Sequence, residues 1–198
     1  MNAWLPSPRR LRTFVADASG IAAVEMAFIA PIALILLSLG VASGQSLTTY
    51  HKVVLAAHSV TDLVSRTVWL PDPNTANAEL LAQSDLDADL ALSQMILYPA
   101  STTNLKVVMS ELKITGNSTT ATVVWSEGFN GGVKLAVGTN VILDANLVAA
   151  GAPYILYGQV TYNFQPFGGI LSLPSISLSS TETLTIRNAS QISVNWGS

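Results

Sequence analysis

The sequence contains no cysteine. Disulfides, thiolate metal sites and cysteine nucleophiles are therefore excluded, and the compartment has to be read from other residues. Charge is scarce as well: Asp, Glu, Lys and Arg make up 11% of the 198 residues, with a net charge of −3. The basic residues are scattered apart from Arg9, Arg10 and Arg12. That distribution offers no footprint for a nucleic-acid backbone, so nucleic acid is excluded as a partner. No internal repeat is present. Alanine, leucine, valine, serine and threonine dominate instead, the composition of a membrane segment joined to a strand-rich body. Once the first 45 or so residues are set aside, the remainder has the usual size of one domain.

Catalytic constellations are missing too. The serines have no G-x-S-x-G context, and neither histidine has a convincing paired acid, so a hydrolase triad has no support. His51 and His58 are seven residues apart on one helical face. That separation is too wide for a shared metal, and both read as helix-surface histidines bordering an interface. Asp85, Asp87 and Asp89 imitate the start of an EF-hand, but Leu90 stands where glycine is required and Ile96 where the bidentate glutamate belongs. Gly131-Gly132-Val133-Lys134 lacks the Walker spacing and its Ser/Thr, which leaves a loop. The sequons at Asn117 and Asn188 read as turn chemistry. The expectation is a non-enzyme without cofactor, metal or small-molecule substrate.

The N-terminal segment is the most informative. After the arginines comes an apolar run from Ile21 to Gly44 whose only charge is Glu25. At about 1.5 Å per residue this is roughly 36 Å of helix, longer than the roughly 30 Å hydrocarbon core. Positive-inside bias keeps residues 1–20 in the cytoplasm and exports residues 45–198. A cleaved secretory signal ending near Val41-Ala42-Ser43 is the rival export route; Glu25 at the front of the run and the length of the run favour a retained anchor. A carboxylate in lipid is costly, so Glu25 either sits at headgroup level or serves a purpose. Gly20 separates the polar leader from the apolar run. Pro31 removes one helical hydrogen bond and permits a bend, and Gly40 and Gly44, four apart, would let a second helix approach closely.

Leu47, Tyr50, Val54, Ala57, Thr61, Val64 and Val68 recur at steps of three and four, which predicts that the helix continues to Leu70 before Pro71 and Pro73 end it. From Ile21 to Leu70 it would be roughly 75 Å long. Asp62 and Arg66 form an i,i+4 pair. A second helix is predicted over Ala76 to Leu97, capped by Asn74 or Thr75, with Leu81, Ala88, Leu92 and Met95 on one face. Strand signals follow: a hairpin of Leu105 to Ile114 and Thr119 to Trp125, a half-buried strand around Leu156 to Phe164, and one or two more near Leu184 to Trp196. Phe129 to Thr139 reads as a glycine-rich loop and Ser172 to Ser180 as a serine-rich connection. The fold class is α+β: a long N-terminal helix, a second helix, and an antiparallel sheet of four or five strands packed on the helical stripe.

The segment RRLRTFVADASGIAAVEMAFIAPIALILLSLG resembles the N-termini of the TadE/TadG-like pseudopilins of the tight-adherence (Flp) pilus machinery, relatives of type IV pilins. In that family a basic leader ends in glycine, a prepilin peptidase cuts after it, and a glutamate lies five residues on. The matching positions are Gly20, Ile21 as the new N-terminus, and Glu25; Met26 stands where an aromatic residue is usual, with Phe28 the nearest. The motifs VVWSEG and QVTYNFQPF are also similar to the body of the family. A cut after Gly20 would create an ammonium on Ile21, four residues from Glu25 on the same helical face, so the two charges would pair within a subunit or between neighbours. The resemblance implies a pilin-like fold and a minor pilin, pseudopilin or envelope assembly component. It places the chain in a bacterial inner membrane, single-pass, with the domain in the periplasm or carried into a surface pilus. Its partners would be other pilin or pseudopilin subunits, the inner-membrane assembly platform and, where the leader is removed, the prepilin peptidase. A membrane-anchored periplasmic ligand-binding or adhesion module unrelated to pili is the other class open to these residues.

Overall fold

A computed structural model of the protein describes residues 19–66, 70–71, 78–116, 119–149, 151–169 and 174–196. The leader arginines, the caps expected at Asn74 or Thr75, and Asn117 with Ser118 lie outside the described residues. The chain divides into two compact units, Met1–Gly44 and Gln45–Ser198. The fold is α+β, a long apolar N-terminal helix followed by a domain containing an antiparallel sheet.

Helix α1 is Ser19–Arg66, and it runs unbroken past Pro31. It ends earlier than the expected Leu70. The reason is tertiary: the Ser65 carbonyl accepts the Arg187 N–H at 3.1 Å, and the Arg66 carbonyl accepts the side-chain amide of Asn188. These bonds satisfy carbonyls that the last turn leaves open, and β1 (Leu70–Pro71) then departs as a short strand. The buried stripe of α1 within the second unit is Thr49, Val53, Ala56, Ala57, Val60, Thr61 and Val64, whereas Leu47 and Tyr50 are exposed. The expected stripe is thus correct at Ala57, Thr61 and Val64 and out of phase before them, while Val68 lies outside the described residues. Close packing on a sheet selects the small residues of this helix rather than its largest ones.

β2 (Ala78–Ala82) occupies the first part of the segment read as helical, and α2 begins only at Gln83, running to Leu97. Its strand state is imposed by neighbours, since β2 pairs antiparallel with β1 and in parallel with β8 (Gln191–Asn195). Five residue pairs join β2 to β8, and such pairing overrides local helix propensity. With Leu81 in a strand, the phase of α2 changes: Leu86, Leu90, Ser93 and Leu97 are buried, while Ala88, Leu92 and Met95 face outward. Ser93 tolerates burial because its hydroxyl donates to the Leu90 carbonyl at 2.6 Å.

The main sheet has five antiparallel strands in the order β5-β4-β3-β6-β7, with β3 Leu105–Ile114, β4 Thr120–Phe129, β5 Asn140–Ile142, β6 Tyr154–Phe164 and β7 Ile176–Thr185. The first hairpin and the β6 strand lie where their alternation places them. β7 replaces most of the serine-rich connection expected there, because Ser177 to Ser180 pair along β6 from Asn163 to Val160. One face of the sheet packs with α1 and α2 around Val53, Val60, Leu86, Leu90, Val107, Met109, Leu156 and Val160. A smaller cluster on the other side joins Leu112, Ile114, Ala121, Val123, Leu143 and Ile155 to Val148 of the short helix α3 (Ala145–Ala149). Where α1 crosses β6, a side chain on Gly158 would collide with the Thr61 hydroxyl, so glycine is required there by close approach.

Candidate functional sites

The long N-terminal helix carries the residues singled out by sequence. Gly20, Ile21, Glu25, Pro31, Gly40 and Gly44 all lie on α1. The side chains of Ile21, Phe28, Ile32, Leu36 and Leu39 stand more than half exposed, the condition of a helix whose apolar surface is made for a non-aqueous or protein partner. This helix is long and apolar enough to cross a membrane. Its hydroxyls are turned back on its own backbone, Ser38 Oγ donating to the Leu34 carbonyl at 2.7 Å and Ser43 Oγ to that of Leu39 at 2.8 Å. In lipid that is how a hydroxyl is satisfied without water. Ile21 and Glu25 share one face, one turn apart. A Cβ at Gly40 or Gly44 would meet nothing within 4 Å, so packing inside the chain does not require these glycines.

In the domain, His58 Nδ1 lies 3.4 Å from Glu182 Oε1 on β7, which ties α1 to the sheet. His51 is exposed beside the Tyr50 ring. Asp62 gathers Arg66 at 2.7 Å and Arg187 at 3.2 Å, so the sequence-read i,i+4 pair becomes a triad that fastens the end of α1. Asp85, Asp87 and Asp89 lie on α2, where alternate positions point apart rather than at one ion. Burial raises the Asp89 carboxyl above its ordinary value, helped by Asp85; burial also raises Asp87, with Glu127 adding to the effect and Lys134 opposing it. Lys134 of the glycine-rich loop binds Glu127 at 2.8 Å and lies 5.6 Å from the centre of the Trp196 ring. Gly132 of that loop lies against the Val107 carbonyl too closely for a side chain. The loop is thus a structural return beside β3.

Compared with protein-family models, curated proteins and solved structures, the chain matches none.

The polar centre of the domain was not anticipated. Glu111 lies on β3 at the parity of Leu105, Val107 and Met109, facing the helices, and is 0% exposed. A register shift between Glu111 and Leu112 sets Trp125 opposite Glu111 and leaves Val124 as the extra residue of β4. Glu111 Oε1 accepts the Ile192 N–H at 2.8 Å, and the Trp125 indole Nε1 donates to the Ile192 carbonyl at 2.7 Å. Glu111 Oε2 is buried without a hydrogen-bond partner. Burial pushes the Glu111 carboxyl up to about 8, the Ile192 N–H and the nearby Trp125 indole pulling weakly the other way. The available signal was the strand VVMSELKI, whose single acid occupies an inward-facing position.

Proposed function

We propose that this protein is a minor pilin or pseudopilin, or an envelope assembly component, of a tight-adherence pilus, held in the bacterial inner membrane by the segment 21–44 with its domain in the periplasm. Its role is structural, and its partners are other pilin-like subunits and the assembly platform. The observation that carries this reading is the single helix α1. It bears exposed apolar side chains from Ile21 to Leu39 and core residues of an α+β domain from Val53 to Val64. One element thus serves a membrane or a bundle of like helices with one part and organises a folded domain with the other. Gly20, Ile21 and Glu25 add the spacing of a processed pseudopilin, and Gly40 with Gly44 supplies a small-residue surface for a neighbouring helix.

The test uses a strain deleted for the protein and complemented with variants. Glu25→Ala is expected to remain in the membrane fraction, since loss of a charge makes the anchor more apolar, while failing to restore pili. Mass spectrometry of the membrane-extracted wild type is expected to read Ile21 as the first residue, and Gly20→Ala to leave the leader attached. Restored pili with Glu25→Ala would remove the intersubunit role of this carboxylate and leave an interfacial placement in its stead.

A further inference from the structure

β8 belongs to the small sheet and has no backbone ladder to the main sheet among the described residues. Two hydrogen bonds to the main sheet come from side chains, with Glu111 on the N–H and Trp125 on the carbonyl of the same residue, Ile192. Together the two side chains imitate one rung of a strand pair. Trp196, just beyond β8, adds an edge contact to Trp125 at 6.4 Å between ring centres. The other neighbours of Glu111 are fixed differently: β4 and β6 are joined to β3 by continuous antiparallel pairing.

We infer that Glu111 and Trp125 form a latch on β8 that is closed while Glu111 carries its proton and opens when the proton is lost. An ionised carboxylate without a counter-charge cannot stay in this position at low cost, because one oxygen already lacks any partner. Water reaches it with least disruption by displacing β8 together with its ladder partner β2, because the bonds from β8 to β3 and β4 at this point run through the Glu111 and Trp125 side chains. Among the described residues, no cation bonds the free oxygen. On α1, Asp62 pairs with both Arg66 and Arg187, His58 lies against Glu182 of β7, and Lys52 donates to the Tyr98 carbonyl. On α2 the groups are Asp85, Asp87 and Asp89, all acidic. On β4, Glu127 is held by Lys134, and on β3 the Lys113 ammonium lies 5.8 Å from the centre of the Tyr154 ring of β6. β8 itself, QISVN, has no ionisable side chain.

The direction follows from linkage. The closed form holds its proton up to about 8 and an opened, solvated Glu111 only to its ordinary 4.5. Between these values the closed state binds more protons, so closure weakens as pH rises. Hydrogen–deuterium exchange of the full-length protein in detergent, corrected for the intrinsic pH dependence of exchange, measures this. The opening constant at the Ile192 amide, the β8 N–H that Glu111 holds, is expected to rise about tenfold per pH unit between pH 5 and 8 and to level off above, while Tyr154–Phe164 stays protected. Glu111→Gln retains an acceptor for the Ile192 N–H and cannot ionise, so its β8 protection is expected to be independent of pH whatever its level. Corrected β8 exchange in the wild type that does not change from pH 5 to 9 would overturn the latch, and the wild type alone decides this if the variant does not fold. A variant that follows the wild-type pH curve would overturn it equally.

Discussion

Gly158 and Thr61 set how near α1 lies to the sheet. The glycine faces the helix from β6, and the Thr61 hydroxyl, donating to the Ala57 carbonyl at 2.8 Å, occupies the space a side chain would need. Gly158→Ala is expected to destabilise the domain by about 1–3 kcal/mol through overpacking, read by chemical denaturation. Thr61→Ala should recover part of that loss, so the double variant costs less than the two single costs added. Strict additivity would place the strain elsewhere. The inward parity of Gly158 was legible from the alternation of β6; its contact with Thr61 was not, since nothing local links two residues so far apart in the chain. Glu111 shows the same limit. Its position on the inward face is readable from VVMSELKI, but the partner that makes the burial tolerable, the Ile192 backbone, comes from a strand whose placement depends on the whole fold.

At the scale of elements, alternation and turn residues located β3, β4 and β6 well, because hairpin pairing is local and each strand has one face in the core. Two segments depart from the sequence expectation for one shared reason. Ala78–Ala82 and the first half of β7, residues 176–180, are strands because of partners distant in sequence, β8 and β6. Their composition, alanine and leucine in one and serine and threonine in the other, carries little of that information. The later start of α2, at Gln83, turns its buried face to Leu86, Leu90, Ser93 and Leu97. The corrected face makes a sharp expectation: Leu90→Ala, at a fully buried position, should cost about 2–5 kcal/mol. Leu92→Ala, two residues on and exposed, should change stability by no more than about 0.5 kcal/mol. Thermal or denaturant unfolding of the two variants side by side checks this, and equal losses would contradict the assigned face.

On the scale of the whole molecule, the division at Gly44 separates an apolar helical unit from the strand-rich unit. The long apolar helix is the most legible part of the chain, because its length and hydropathy are local properties of the sequence. What this helix is used for turns on Gly20, Ile21 and Glu25. If the domain is periplasmic, a reporter active only outside the cytoplasm, fused after Ser198, should be active, and cytoplasmic activity would reverse the topology. The claim of a pilus role is tested most directly by counting surface pili by electron microscopy in cells deleted for this protein and in the same cells complemented with the wild type. The account predicts that pili are lost on deletion and return on complementation. Pili of normal number and length in the deleted cells would contradict it.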